Sequence, residues 1–412
     1  MRVYCYTPFQ LCRPNLLDLA QVRAWLQGEG AELVARPEQA EVIVVHTCAF
    51  DHDHEEQSLR EVIELHRRHP QARIVVGGCL PEIAPEALGR VHDGPAFSPQ
   101  STRPLAEALG LSGGPDVDGD RGCGSLEIPR PAVFRWLARG WSVLDGLDRG
   151  LARVGWRSHG LNTLVGIGFH LSSRTLFVRA TEGCLGHCTY CAIRKARGRL
   201  RSQPAGRILE SVRQARDRGF RTVALVGDDL SVYGQDCECD LPELLEQIVS
   251  TWPGVALALD NVHPAGLVAL QGRLDPVLNL GAVRYLEVPV QSGSDRVLAA
   301  MQRPYTAIEA GDAIRELKQR FPQTVVATHL MVGFPGEREE DFVQSLAWLR
   351  DTPVDHAVVL QYQERRGTPA VELPDPVPLA ERRRRRHRTL LMARARLVHD
   401  LARRLPPARS LW

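Results

Sequence analysis

Two spacings of apolar residues alternate along this chain of 412 residues. Short runs of β-branched and other apolar residues suit buried parallel strands. Between them apolar positions recur every three or four residues, as on one face of a helix. Over residues 1–110 the runs are 3–6, 42–45 and 74–76. Leu16, Leu19, Val22 and Leu26 form a helical stripe after the first run, with Asn15 as the expected N-cap. Glu55 and Glu56 open a second helix that runs to His66, their charge at the end the helix dipole favours. This alternation predicts a three-layer α/β domain with a parallel sheet. From Thr175 the pattern resumes, with runs at 176–180, 222–226, 255–259, 285–290, 325–332 and 356–362. Helical spacing lies between them at 206–216, 241–249, 295–301, 308–320 and 341–349. Six parallel strands joined by helices predict an open (β/α)6 barrel over 173–370.

Two segments carry weaker patterns. Residues 111–125 are rich in Gly and Asp and read as a linker. Beyond them, apolar residues from Val133 to Val154 fall at helical spacing, so an amphipathic helix is expected in spite of Gly140 and Gly146. Residues 371–412 read as a proline-rich link and a helix, in which 382–386 are five consecutive arginines followed by His387 and Arg388. At 100° per residue such a run circles the helix instead of making one basic stripe. A solvated helix is expected, with Leu390, Leu397, Val398 and Leu401 packed on the barrel.

Composition narrows the class. With 44% apolar and 24% charged residues the chain is that of a globular protein. No run of about eighteen apolar residues predicts a membrane span, and the first residues lack the apolar core of a signal peptide. Ten cysteines without secretory features point to a reducing cytoplasm and to metal chemistry. A formal charge of +2 excludes a strongly basic nucleic-acid binder but leaves room for local basic patches.

The chemistry centres on Cys184, Cys188 and Cys191, spaced C-x3-C-x2-C on a loop after the first barrel run. Three thiolates on one loop can hold three irons of a [4Fe–4S] cluster and leave the fourth open. The competing readings are a zinc site, which wants four closed ligands, or three unrelated buried thiols. Cys12, Cys48 and Cys79 stand at the ends of the first domain's elements, on the sheet edge where strand ends converge. Each alone reads as a small buried hydrophobe, and together they favour a second cluster. Three barrel loops follow strand ends on the same rim: Gly227-Asp228-Asp229, Gln291-Ser292-Gly293-Ser294 and Gly333-Phe-Pro335-Gly336-Glu337. Each is compatible with a cap or turn, and jointly they suit a nucleoside ligand. His46, His52 and His54 read as a solvated acidic loop. Cys237 and Cys239 read as surface thiols, and Cys123 has no assigned role.

The Cys184 loop resembles the cluster loop of the radical S-adenosylmethionine (SAM) enzymes. That resemblance implies that SAM chelates the open iron and that Tyr190 lies near its adenine. Within that superfamily the chain resembles the methylthiotransferases. Cys12-Arg-Pro-Asn15-Leu-Leu-Asp18, His-Thr47-Cys48-Ala and Gly77-Gly78-Cys79 match their N-terminal domain. Ala-Arg197-Gly198-Arg199, Gln291-Ser292-Gly293-Ser294-Asp295, Met301-Gln-Arg303, Gly333-Phe-Pro335-Gly336-Glu337 and Tyr362-x-x-Arg365-x-Gly367-Thr368-x-Ala370 follow in the family's order. The match covers nearly everything except 111–172 and the tail. Two departures are the missing Gly before Cys12 and His46 where Asn is usual.

The family implies replacement of C–H by C–S–CH3, using SAM and two [4Fe–4S] clusters, the second on Cys12, Cys48 and Cys79. It further implies sulfur from that second cluster, or from sulfide or persulfide, and electrons from a donor such as flavodoxin or ferredoxin. Gly227, Asp229, Gln291, Ser292, Gly333 and Pro335 would then line SAM. Family members act on adenosines of tRNA or on an aspartate of a ribosomal protein, and usually end in a small β-barrel TRAM domain. No series of short strands follows Ala370, so that module is expected to be absent. Trp136, Trp141 and Trp156 offer an apolar surface instead. The expectation is therefore a peptide or protein substrate, such as a natural-product precursor peptide, ahead of tRNA. The alternatives are a radical SAM enzyme without sulfur insertion and a metal-cluster RNA adaptor using 382–388. A cobalamin form of the former lacks its Asp-x-His-x-x-Gly signature. The sequence is silent on oligomeric state.

Overall fold

A computed structural model describes residues 1–9, 12–111, 114, 125–126 and 175–404. The first sheet contains β1 (Arg2–Tyr6), β2 (Glu32–Leu33), β3 (Val42–Thr47) and β4 (Arg73–Gly78), in the order β2-β1-β3-β4. All its pairs are parallel. All six residues of β3 are buried, which explains its unbroken apolar run: an inner strand under helices on both faces has no wet side. Helix α1 (Arg13–Gly28) follows β1, and α2 (His52–Arg68) follows β3. Asp51 caps α2 by accepting from the His54 N–H at 2.8 Å, and His66, Arg67 and Arg68 close its last turn.

The expected N-cap at Asn15 is wrong. The helix begins at Arg13 with Cys12 as N-cap and a proline in its first turn. Asn15 lies inside the helix, fully buried, and its side-chain oxygen is bonded to His46 Nδ1. A tertiary partner overrode its capping tendency. By the same contact His46 is buried, not solvated, whereas His52 is exposed and His54 bonds Asp51 at 2.5 Å.

The second sheet contains β5 (Ser125–Leu126), β6 (Thr175–Arg179), β9 (Thr222–Val226), β10 (Ala256–Leu259), β11 (Val283–Glu287), β12 (Val325–Val332) and β13 (His356–Gln361). Its order is β13-β12-β11-β10-β9-β6-β5. The last six of these elements in the chain are parallel neighbours, as expected for the barrel, while β5 adds an antiparallel strand on the β6 edge. A strand of two residues leaves no periodic signal, so the sequence reads it as linker. Two short helices between β10 and β11, Pro264–Ala269 and Asp275–Asn279, were likewise not expected, being too short to show a stripe. A small antiparallel clip, β7 (Thr181–Glu182) with β8 (Arg201–Ser202), flanks the first cysteine loop.

Period-two alternation sorts the barrel residues into two cores. Leu176, Val178, Val223, Leu225, Leu257 and Leu286 pack in the cluster beneath the helices. Phe177, Ala224, Val226, Ala258, Tyr285 and Ala327 face the other way and form a cluster with Leu17 of α1. Helix α1 thus belongs to the first sheet in sequence yet fills the concave face of the second. Burying Leu17 alone contributes about 1.5–3 kcal/mol to that junction.

The basic run is solvated in part only: Arg383, Arg384 and Arg386 are exposed, and the other two arginines are not. In the helix Leu379–Arg404, Arg382 and Arg385 are buried. Arg382 donates to the Val377, Tyr362 and Glu364 oxygens at 2.6, 3.1 and 3.0 Å, and Arg385 pairs with Glu337 at 2.8 Å. Rotation by 100° per residue turns these two inward, where buried carbonyls and a carboxylate require donors. Among the described residues no helix is long and apolar enough to cross a membrane. The helix expected around 133–154, together with Cys123, Trp136, Trp141 and Trp156, lies outside the described residues, as do the side chains of Leu397, Val398 and Leu401.

Candidate active site

The loop carrying Cys184, Cys188 and Cys191 begins at Gly183, whose φ of +75° suits only glycine comfortably. A Cβ there would lie 2.1 Å from the Arg199 carbonyl oxygen. The Gly183 N–H donates to Asp228 Oδ2 at 2.8 Å, tying the loop to the end of β9. Thr189 anchors the far side: its N–H and hydroxyl donate to the Met301 and Ala300 carbonyls at 3.1 and 2.9 Å, and its carbonyl accepts from Ala370 at 2.9 Å. Segments far apart in sequence therefore hold one loop.

Donors already point at its sulfurs. The Gly186 N–H lies 3.1 Å from Cys184 Sγ, and Arg303 Nη1 lies 3.2 Å from Cys188 Sγ. Such charge-assisted contacts stabilise a thiolate. Burial opposes them, pushing the Cys184 thiol to about 11 and Cys191 to about 12. A bound cation would reverse that cost, because coordination deprotonates a thiol outright. Tyr190 stands edge-on to Phe334, with ring centroids 6.5 Å apart, and Phe334 meets Tyr362 at 5.4 Å. They wall one side of the loop with apolar surface.

The second trio lies where α1, β3 and β4 converge. Cys12 and Cys48 hydrogen-bond each other, and Cys79 acts electrostatically on Cys48. That bond, with the Arg197 charge nearby, holds Cys12 down to about 7 against burial, and Cys48 is pushed up in return. Burial raises Cys79 to about 12, with Arg197 opposing it. Among the described residues no three His, Cys, Asp or Glu side chains are arranged around a single ion. The donor set of each trio fits a polynuclear cluster, whose thiolates bind separate irons.

Arg197 joins the two sites. It sits on the helix Ile193–Arg197, which follows Cys191, and pairs with Asp18 of α1 at 2.6 Å. Asp18 also pairs with Arg179, and Glu182 takes contacts from Arg179, Arg197 and Arg201 at 3.4, 3.4 and 3.3 Å. Burial pushes the Asp18 carboxyl up, but the two guanidiniums outweigh it and hold it well below the usual carboxylate range. A buried network of this kind positions its members; removing one charge strands the others.

The predicted rim residues are found at strand ends as follows. The Gly227 carbonyl accepts from Asn261 Nδ2 at 3.1 Å. Asp229 turns its carboxylate to the Ser231 N–H and hydroxyl at 2.9 and 2.6 Å, so it caps a turn. Gln291 holds φ at +73°, a strained value for its type, and its buried Oε1 has no partner. Ser292 accepts from the Ser294 N–H at 3.1 Å. Gly333, at φ +76°, donates to the Glu337 carboxylate, and Pro335 is buried beside it.

The sequence reading overlooked Arg303 and Arg197 as site residues, although both lie in quoted motifs. It also overlooked Arg13, Asp260, Glu287 and His329. Arg13 pairs with Asp260 across the two sheets, and His329 lies 3.4 Å from Glu287. Charged residues at apolar-face positions of β10 to β12 were the available signal.

Comparison with known proteins agrees in both halves of the chain. Residues 178–349 match the radical SAM superfamily, and residues 9–96 match an uncharacterized protein family, UPF0004. A ribosomal protein uS12 methylthiotransferase RimO of Pelotomaculum thermopropionicum is 30% identical over 390 residues, 92% of this chain and 80% of the relative. A tRNA-2-methylthio-N(6)-dimethylallyladenosine synthase of Bordetella avium is 30% identical over 385 residues, 89% and 72% of the two chains. Among solved structures, the radical SAM methyltransferase TsrM of Kitasatospora setae superposes with TM-score 0.60 at 11% identity, over 90% of this chain and 77% of its own. The cobalamin-dependent SAM radical enzyme OxsB gives 0.52 at 12% identity, over 98% and 56%. At those identities the likeness is one of fold alone.

Proposed function

The chain belongs to the radical SAM methylthiotransferases, and from that premise we propose that it replaces a C–H bond of a polypeptide with C–S–CH3. In this reading Cys184, Cys188 and Cys191 hold one [4Fe–4S] cluster and Cys12, Cys48 and Cys79 a second. When bound, the clusters and SAM supply the electron, the hydrogen-abstracting radical, the sulfur and the methyl group. The chain supplies position and field. Arg303 and the Gly186 N–H offset charge on two sulfurs, and Tyr190 with Phe334 keeps water from one side. The observation that carries the two-cluster reading is Arg197, one buried guanidinium that follows the first trio in sequence and acts on Cys12 and Cys79.

The substrate is argued from this chain, since relatives at equal identity are named for a ribosomal protein and for tRNA. A tRNA enzyme needs free cations for phosphates. Here Arg382 and Arg385 are buried in internal contacts and Arg384 and Arg388 pair with Glu339, which leaves Arg383 and Arg386 as the remaining exposed arginines of the run, and the net charge is only +2. That favours a polypeptide. The narrower expectation of a natural-product precursor is not carried further, because these relatives are named for other substrates. Mass spectrometry of the proteome and of bulk tRNA, with and without the active gene, tests the reading. A polypeptide shift equal to CH3S replacing H is expected; a methylthio-adenosine that depends on this chain would overturn it.

A further inference from the structure

The proposed chemistry gives the arginine run no task, yet its two buried members meet one rim loop, residues 333–337 after β12. Gly333 and Gly336 hold φ at +76° and +75°, so this loop bends sharply twice and would sample many shapes if left alone. Contacts from three directions hold it. Fully buried Phe334 stands between the rings of Tyr190, on the first cysteine loop, and Tyr362, just after β13. The Gly336 N–H donates to the Asp375 carbonyl at 2.8 Å. From the helix Leu379–Arg404, Arg385 Nη1 donates to the Glu337 carboxylate and carbonyl at 2.8 and 3.0 Å. The same carboxylate oxygen accepts from the Gly333 N–H, so one guanidinium closes both ends of the turn. Arg385 is steadied in turn by Glu381 at 2.8 Å and Glu339 at 3.6 Å. Arg382 covers the opposite side. A Cβ on Gly333 would run into the Arg382 stem, and its guanidinium lies 5.3 Å from the Tyr362 ring centroid while donating to the Tyr362 carbonyl.

We propose that the helix Leu379–Arg404 is a working part of the SAM-binding rim, with Arg382 and Arg385 as positioning residues that hold loop 333–337 in its binding shape before SAM arrives. The assignment rests on the reading that this loop lines SAM, and adds the element that sets it. Ordering a loop costs conformational entropy, and a brace built into the folded chain removes that cost from the binding step. The brace comes from beyond residue 349, where the match to the radical SAM superfamily ends. Through Phe334 and Tyr190 it also steadies the apolar wall beside the first cysteine trio.

The test uses the full chain reconstituted with iron and sulfide and given labelled SAM without a reductant, so that SAM is not consumed. Equilibrium dialysis reads the SAM dissociation constant, and thermal unfolding of the same samples reads stability. Two variants release the brace without stranding a buried carboxylate. Arg382→Ala leaves only Glu364, which is 60% exposed, and Arg385→Met/Glu337→Gln removes the buried cation and the buried charge together. Each should bind SAM about tenfold more weakly at a temperature well below its melting point, as for a loop competent about a tenth of the time. Glu337→Gln alone keeps an acceptor for both donors and should stay within about threefold of the parent. Arg384→Gln, at an exposed pair on the same helix, should stay within about twofold. A merely structural role would lower the melting temperature and leave the dissociation constant of the folded chain unchanged. Parent-level affinity in either brace variant therefore overturns the proposal. So does a loss in Glu337→Gln equal to that of the double variant, because the loop's own carboxylate would then carry the effect. An unaltered chain that binds no SAM overturns the reading of the loop, and the brace with it.

Discussion

At Gly183 a hydrogen in place of a methyl decides whether the first cysteine loop can close. Two costs meet there: φ of +75°, worth about 1–2 kcal/mol to an L side chain, and a Cβ placed 2.1 Å from the Arg199 carbonyl. Gly219 isolates the first cost, since its φ is +84° but nothing lies within 4 Å of a Cβ. Gly183→Ala should therefore cut bound iron by about half after reconstitution and suppress 5′-deoxyadenosine, whereas Gly219→Ala should only lower thermal stability by ~1 kcal/mol. Parent-level iron in Gly183→Ala would show that backbone closure there does not govern the cluster loop. Asn15 makes the complementary point. Its residue type announces a cap, but His46, brought over by β3, claims its side chain. Local propensity is legible in sequence; a partner 31 positions away is not.

Elements show the same division. The runs at 222–226 and 325–332 coincide with β9 and β12 because mostly buried inner strands favour apolar residues, although Thr328 and the half-buried His329 interrupt the second. The helix Leu379–Arg404 was legible as a helix, but its environment was not. Five consecutive arginines look like a wet surface until Glu337 and the Tyr362 carbonyl are seen beneath two of them, Arg385 and Arg382. Arg385→Met should leave the buried Glu337 carboxylate without its cation and destabilise the fold by about 3–5 kcal/mol. Adding Glu337→Gln should recover much of that loss, since the stranded charge is removed. Thermal unfolding of the single and double variants measures both; equal melting temperatures for Arg385→Met and the parent would mean the pair is energetically idle.

On the scale of the whole molecule, α1 ties the two sheets together through Leu17, Arg13 and Asp18. It sets one cysteine trio across a charge network from the other, so their functions should separate by mutation. Replacing Cys184, Cys188 and Cys191 by Ala should abolish 5′-deoxyadenosine formation and product alike. Replacing Cys12, Cys48 and Cys79 should remove about half the iron and end methylthiolation while SAM cleavage stays measurable. Full iron content in the second set would make those thiols simple core residues. The sequence by itself determined the strand and helix alternation, the six cysteines and the family, because periodicity and short spacings are local properties of a chain. Only the tertiary structure decided that Arg197 lies against the second trio, that Arg382 and Arg385 of the arginine run turn inward, and that Arg13 meets Asp260. Arg197–Asp18, Arg385–Glu337 and Arg13–Asp260 each join residues far apart in sequence, and their pairing energy exists only once the elements that carry them have packed together.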